Sequence, residues 1–374
     1  MNRLPAGLGF VRVGWLALLL ACGPVAGPAS PPASGPAAGR AGTPAAAAPA
    51  GAQALAAYDG TDRQRVLEDG ARQEGKVTWY TTTQKETLGQ PVIDAFTRKY
   101  PFLQVDYYRA DSTALVQRLR EEARAGRREA DLFETTTGAL QLAVADGLLL
   151  PVTALAGPAP PADARHPDSY WFATWELYPA IGYNTNAIAR DEAPQTYDDL
   201  LDPRWKGRIG LPSSSVAVSF VGLMVETKGE DYLARLARQD VRVREVSQTA
   251  LANLVASGEV PLSPVITSKD TRFLQNKGAP IAWNPAQPIG VQRAGAGLVK
   301  TAPHPHAALL LLDFLLSPAE GEGRALYAGQ GYGAPGQGEA ASYTLVDLAA
   351  RPDYAEQYER WERLLNQYLA RAAP

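Results

Sequence analysis

The stretch "ADLFETTTGALQLAVADG", Ala130 to Gly147, contains a complete strand–turn–helix unit. Its first five residues predict a buried strand, and the rest predicts a helix that begins in a run of threonines. Similar units occur twice upstream, where "KVTWY" and "LQVDYYR" predict strands that are each followed by a helical pattern. Repeated strand–helix units of this kind predict an α/β fold with a mostly parallel sheet, covered by helices on both faces.

Two long extended stretches later in the chain predict a division into two lobes. They are "SYWFATWELYPAIGYNTN" at 169–186 and "GAPIAWNPAQPIGVQRAG" at 278–295. A region of more than 300 residues is too large for one hydrophobic core, so we interpret these stretches as crossings between two lobes. The predicted division is a signal peptide at 1–21, a tether at 22–57, the first lobe at 58–175, a crossing at 176–184, the second lobe at 185–282, a crossing at 283–292, and the remainder of the first lobe with a C-terminal helix at 293–374.

The N-terminus has the features of an export signal. Arg3 and Arg12 are the only charges before the apolar run "VGWLALLLA", which is too short to span a bilayer. Cys22, the only cysteine, follows directly, and a Pro/Ala/Gly-rich segment of the kind that forms a disordered tether comes next. "Leu-Leu-Ala-Cys" at 19–22 resembles the lipobox of bacterial lipoproteins. We therefore expect export and a lipid on Cys22, with the protein held at the outer face of the cytoplasmic membrane or in the periplasm.

The composition is that of an ordinary globular protein, with 46% hydrophobic and 20% charged residues. The formal net charge is −3, and loss of Arg3 and Arg12 with the signal lowers it by two more charges. A mildly acidic chain is not expected to bind nucleic acid. With one cysteine, no intramolecular disulfide is possible. We expect a monomer.

Five stretches that occur in order carry a resemblance to a known family. They are "ADLFETTTGALQLAVADGLLLPV", "YPAIGYNTN", "APQTYDDLLDPRWKGRIGLPSSS", "NKGAPIAW" and "APHPHAALLLLDFLLSPAEGEG". The chain resembles the periplasmic solute-binding proteins of ABC importers with the two-lobed type 2 fold, and within them the ferric-iron-binding group. The resemblance implies ligand capture in a cleft between the lobes, lobe closure, and delivery to a permease and its ATPase, without catalysis or a resident cofactor.

Hydroxyl-bearing turns lie where predicted strands lead into helices. In α/β sheets these turns meet at the carboxyl ends of the strands, and helix N-termini there favour anions or ligand oxygens. Plain N-capping is an equally good explanation for any single turn. The candidates also include residues that follow the last predicted strand of the second lobe and one tryptophan in a crossing. The candidate ligand-binding residues are Thr81, Thr82, Thr83, Ser112, Thr113, Thr135, Thr136, Thr137, Trp175, Ser213, Ser214, Ser215, Ser268, Lys269 and Arg272.

One segment departs from the pattern of the ferric-iron group. Adjacent tyrosines from the second lobe hold the metal in that group, but the corresponding stretch here, "LSPVITSKDTRFL" at 262–274, has no tyrosine. The pair Tyr107 and Tyr108 lies on a first-lobe strand, where we expect one ring buried and one exposed. We therefore expect an anionic or oxygen-rich ligand: an organic acid, a phosphonate or sugar phosphate, or Fe³⁺ carried in a complex.

Other chemical patterns are weak. His304 and His306 flank a proline, and we interpret "HPH" as a solvated turn rather than a metal site. A secreted α/β hydrolase is a less favoured alternative, because no nucleophile–base pattern is evident. A ligand-sensing receptor for a membrane sensor is a second alternative, which the residues do not distinguish from a transport receptor.

Overall fold

The computed structural model describes residues 51–335 and 338–370. The helices are α1 Ala52–Ala56, α2 Arg63–Glu74, α3 Gln90–Lys99, α4 Ser112–Arg124, α5 Thr137–Ala145, α6 Ser215–Lys228, α7 Glu230–Leu236, α8 Gln248–Ser257, α9 Ser268–Gln275, α10 Pro305–Leu316, α11 Gly323–Gly329 and α12 Tyr354–Tyr368. The strands are β1 Lys76–Thr81, β2 Gln104–Arg109, β3 Leu132–Thr136, β4 Leu149–Leu150, β5 Phe172–Leu177, β6 Pro179–Asn184, β7 Gly210–Pro212, β8 Arg242–Arg244, β9 Leu262–Thr267, β10 Ile281–Asn284, β11 Ile289–Gly290, β12 Gln292–Val299 and β13 Leu345–Val346. The predicted signal peptide, Cys22 and all but the end of the predicted tether lie outside the described residues.

The first lobe is built on a six-stranded sheet with the order β2-β1-β3-β12-β4, in which β5 also pairs with β12. β1 runs parallel to β2 and β3, as the strand–helix units predict. β12 is antiparallel to β3, β4 and β5. One hydrophobic cluster, with α2, α3 and α10, covers one face of the sheet, and a second cluster, with α4 and α5, covers the other.

The second lobe has a three-stranded antiparallel sheet with the order β10-β6-β9. The parallel pair β7–β8 is linked to this sheet through a bridge between Ile209 and Leu262. The sheets are therefore more mixed than the predicted, mostly parallel ones. The reason is that the extended stretches interpreted as crossings are themselves strands of both sheets, and they run back against their neighbours.

The chain passes between the two sheets inside both predicted crossings. Tyr178 alone separates β5 of the first sheet from β6 of the second. The return runs from Asn284, through β11, to Gln292 at the start of β12. A further passage was not predicted: β13 pairs with β11, and the chain then continues into α12.

The prediction that all of 293–374 belongs to the first lobe is wrong for α12. Trp361, Leu364 and Leu365 of α12 are buried in the hydrophobic cluster of the second lobe. Trp361 is accommodated because α6 has Gly222 beneath it, where a Cβ atom would lie 2.6 Å from the indole Cδ2. A side chain as large as an indole is held only where its neighbour leaves this space.

The prediction that the tether extends to residue 57 is also wrong at its end. Residues 52–56 form the short helix α1, and Leu55 and Ala56 are buried in the first-lobe core. A leucine and small residues are enough to hold this short helix in place, because they pack against α10, whose buried leucines form an apolar surface. Asp313 of α10 is held by Arg63, with 2.6 Å between Oδ2 and Nη1.

In the described part of the chain, every helix is too short or too polar to cross a bilayer.

Candidate functional site

The side chains of the threonines at the end of β1 and directly after it are buried or half-buried in the protein. Thr81 is fully buried and donates its hydroxyl to Glu134 Oε2 over 2.8 Å. Thr83 is buried as well, at 3.4 Å from the same oxygen. Thr82 is half-buried and is the member of the run with a partly open surface.

Glu134 is the centre of this hydroxyl cluster. Its other oxygen, Oε1, accepts from Thr174 Oγ1 at 2.7 Å and from Tyr327 Oη at 2.8 Å. The carboxyl is completely buried, which raises its pKa, whereas the hydroxyl donors act in the opposite direction. The cluster ties β1, β3, β5 and α11 together inside the first lobe. Sequence reasoning missed it, and its one signal was an acidic residue inside the buried strand "ADLFE".

The three threonines at the end of β3 have three different environments. Thr135 is fully buried, and its hydroxyl has no hydrogen-bond partner among the described residues. Thr136 is exposed and donates to Ser112 Oγ over 3.0 Å, which joins the starts of α4 and α5. Thr137 is buried, 3.3 Å from Asp347 Oδ2. Thr113 is exposed beside Ser112.

The three serines at the start of α6 differ in exposure. Ser213 and Ser215 are exposed, and Ser214 occupies the N-cap position with extended backbone. The Ser214 side chain makes no capping hydrogen bond, and its Oγ has no hydrogen-bond partner among the residues the structure describes. An N-cap serine normally bonds an amide of the first turn, whereas this hydroxyl is buried and unpaired among the described residues.

The start of α9 contacts the first lobe. The Lys269 ammonium lies 4.1 Å from the centroid of the Tyr332 ring, and that ring is 4.9 Å from the ring of Trp175. Ser268 donates its amide to Tyr178 O over 3.4 Å. Arg272 is exposed and is in no ion pair among the described residues. Tyr332 was not among the candidates, because nothing in its local sequence distinguishes it.

The buried Arg293 pairs with acidic side chains near the points where the chain passes between the lobes. Arg293 Nε donates to Glu176 Oε1, and Arg293 Nη1 lies 3.6 Å from Asp347 Oδ2. Asp163 accepts from Nη2 at 2.9 Å. Burial raises the pKa of Asp347, and the guanidinium acts to lower it. Tyr178, between the two sheets, donates its hydroxyl to Glu176 Oε2 over 2.7 Å.

The candidate residues are therefore brought together in two groups. Ser112 and Thr136 form one pair, and Trp175 and Lys269 meet through Tyr332. Thr81, Thr83 and Thr137 contact buried carboxylates instead. A cavity of about 550 Å³ lies elsewhere on the first lobe, between the start of α2 and the 152–172 segment, and no candidate residue lines it.

The tyrosine pair Tyr107 and Tyr108 is structural. Tyr107 packs edge-on against Trp79, and Tyr108 packs against Tyr80. Both rings are half-buried, on opposite faces of β2, so the expectation of one buried and one exposed ring is wrong. Burial raises the pKa of Tyr107 to about 12, which disfavours a tyrosinate at neutral pH.

The interpretation of "HPH" as a solvated turn is wrong. His304 Nδ1 lies 2.9 Å from the fully buried carboxylate of Asp131, and His306 Nδ1 lies 2.6 Å from Glu74. Both carboxylates also accept amide hydrogens at the start of α10. Within the described ranges no group of three or more His, Cys, Asp or Glu side chains could hold a metal ion.

Two lobes joined by hinge strands, with hydroxyl-bearing turns at strand ends on both sides, define a two-lobed binding protein. The family profile of the bacterial extracellular solute-binding proteins matches residues 80–322, and the chain belongs to this family. This confirms the resemblance and the fold class expected from the sequence.

The chain is similar to iron uptake protein A1 of Synechocystis, with 30% identity over 239 residues, which span 58% of this chain and 65% of that protein. Its fold is similar to that of a Trichodesmium protein (IdiA, FutA) in complex with iron and citrate ligands, with a TM-score of 0.63 at 23% identity over 79% of this chain and 99% of that one. It is also similar to AfuA from Actinobacillus pleuropneumoniae with fructose-6-phosphate bound, with a TM-score of 0.58 at 20% identity over 80% and 100%.

Proposed function

We propose that this protein is the exported receptor of an ABC importer, which captures a small anionic solute between its lobes and delivers it to a permease. The observation that carries the proposal is Lys269, a half-buried lysine that reaches from the second lobe to the first without a carboxylate partner among the described residues. A cation in that position is stabilised by an anion bound between the lobes.

The hydroxyls at helix starts support the same proposal. Ser112 and Thr136 stand at helix starts of the first lobe, and Ser214 at a helix start of the second. Helix N-termini carry a partial positive charge and free amide groups, which suit the oxygens of a carboxylate, phosphate or phosphonate. Thr81, Thr83 and Thr137 are set aside because they contact buried carboxylates. The remaining candidates are the proposed ligand contacts.

The proposed ligand differs from a bare ferric ion. The segment 262–274, which contains β9 and all but the last residue of α9, has no tyrosine, and the start of α9 offers Ser268 and Lys269 instead. An ammonium in the site repels a metal cation but attracts the anion of a metal complex. We therefore propose an oxyanion-bearing solute, with a ferric complex such as ferric citrate as one member of that class.

Membrane attachment is part of the proposal. A lipid on Cys22 and the Pro/Ala/Gly-rich tether would hold the receptor beside its permease and ATPase without fixing its orientation. We propose a monomer that binds its solute without transforming it. A sensor receptor would share this binding chemistry, and the genes for a permease and an ATPase beside this one would favour transport.

The experiment is a thermal-shift screen of metals, anions and small metabolites, followed by small-angle scattering with each solute that binds. A solute that binds the folded state alone raises the melting temperature. We expect an oxyanion to do so and to reduce the radius of gyration by closing the lobes. Ferric iron that alone gives a coloured, stabilised complex would contradict the proposed ligand class, and an unchanged radius at saturation would contradict lobe closure.

A further inference from the structure

Three side chains from the two lobes meet near Tyr178, where the chain first passes between the sheets. Trp175 is near the end of β5, Tyr332 follows α11, and Lys269 lies in the first turn of α9. All three are half-buried. The rings of Trp175 and Tyr332 adjoin, with their centroids 4.9 Å apart and their planes tilted by 54°. We call this pair of rings the aromatic shelf.

The ammonium of Lys269 is incompletely satisfied. It has no hydrogen bond and no ion pair with any residue that the structure describes, and its one close contact is the face of the Tyr332 ring. Such a contact stabilises a cation only weakly and leaves its hydrogen-bond donors free. Lys99 and Lys228, in contrast, each lie 2.6 Å from a carboxylate.

The backbone amides at the start of α9 are largely hydrogen-bonded within the protein. Thr267 caps α9 by accepting the Asp270 amide at 2.9 Å, and the Ser268 amide is given to Tyr178 O. The ammonium, rather than the helix terminus, is therefore the group with free capacity for an anion. The aromatic shelf lies next to this ammonium.

We propose that the ligand is an organic anion with a flat ring, whose phosphate or carboxylate pairs with Lys269 while the ring lies on the aromatic shelf. This inference rests on the proposed function and narrows its ligand class. An aromatic ring gains affinity by burying apolar surface against the two rings. Inorganic phosphate or a ring-free organic phosphate would use only the charge.

The test compares phenyl phosphate with methyl phosphate, which carry the same charge and differ in the ring. Calorimetric titration of the parent protein is expected to give at least tenfold tighter binding of phenyl phosphate. Lys269→Met keeps the aliphatic stem and removes the charge, and it is expected to weaken phenyl phosphate binding at least tenfold. The matched control is Lys277→Met, because Lys277 lies over the exposed Phe273 ring at 4.0 Å and is outside the shelf.

Variants of the shelf separate the ring from the charge. Tyr332→Leu is expected to reduce the preference for phenyl over methyl phosphate to less than threefold. Trp175→Phe retains most of the packing and is expected to reduce this preference partly. The tryptophan fluorescence of the parent protein is expected to change when phenyl phosphate binds.

Either of two binding results would overturn this inference, as would the scattering result given last. The first is phenyl phosphate that binds the parent no tighter than methyl phosphate, and the second is Lys269→Met that binds phenyl phosphate as tightly as Lys277→Met. The proposed function fails separately, when no solute of the thermal-shift panel reduces the radius of gyration. A ring-free solute that closes the lobes would leave the proposed function intact and refute the shelf assignment alone.

Discussion

Replacing Arg293 by methionine is expected to destabilise the fold and to do so in a pH-dependent way. The guanidinium has a side-chain exposure of 2% and pairs with Glu176 at 0% and Asp347 at 5%. Methionine fills much of the volume but leaves both carboxylates buried without their cation. Removing one partner of a buried ion pair costs about 3–5 kcal/mol. The bond to Asp163 adds little, because that side chain is 66% exposed.

The expected loss is measurable by calorimetry. In a domain of 150–250 residues, 1 kcal/mol lowers the melting temperature by about 2–4 °C, and the value for this larger chain is at or below the lower figure. We therefore expect the melting temperature to fall by at most roughly 6–10 °C. The pKa of Asp347, already raised by burial, rises further when Arg293 no longer lowers it. A buried carboxyl with a raised pKa destabilises the fold above that pKa, and the penalty disappears as it protonates. The deficit of the variant is therefore expected to shrink as the pH falls from 8 to 5.

Arg363→Met is the control, because that side chain is 70% exposed and its nearest carboxylate is 4.0 Å away. We expect it to melt within about 0.5 kcal/mol of the parent. The reasoning is refuted when Arg293→Met melts with the control, or when its deficit grows toward low pH. The first result would mean that the carboxylates find other partners, and the second that they are not the source of the penalty.

Three further predictions concern the anchor, the site and the C-terminal helix. Cys22→Ser is expected to release the protein from membranes, and fractionation that remains detergent-dependent would rule out a lipid there. Ser214→Ala is expected to leave the melting temperature unchanged, since its hydroxyl has no partner among the described residues, and to weaken binding of the solute found by screening about tenfold or more. Thr136→Ala tests the first lobe in the same way. Parent-like affinity in both variants would refute the hydroxyl site. Gly222→Leu is expected to dislodge Trp361 and lower the melting temperature by several degrees, whereas an unchanged melting curve and tryptophan emission would show that α12 does not depend on this contact.

The elements that follow local rules could be predicted from the sequence. The β3–α5 unit is an example, because a buried strand, a hydroxyl-bearing turn and an apolar helix are all encoded within 18 residues. The lobe of α12 could not be predicted in this way. Its place depends on the fit of Trp361 over Gly222, and these residues are far apart in the sequence.

The candidate site was predicted in part for a similar reason. The turns were located by composition, but a threonine that caps a helix and a threonine that binds a buried carboxylate look identical in sequence. Thr81 belongs to the second kind only because β3 brings Glu134 beside it. His304 and His306 show the same limit, since Asp131 and Glu74 are more than 170 residues away.

The positions of α1 and α12 have a practical consequence. Leu55 of α1 is buried in the core of the first lobe, whereas Trp361 of α12 is buried in the core of the second. A donor dye attached near one of these helices and an acceptor near the other would move with different lobes. Energy transfer between the two dyes would then report lobe closure in real time, with no label in the cleft, and would turn the protein into a sensor for its own solute.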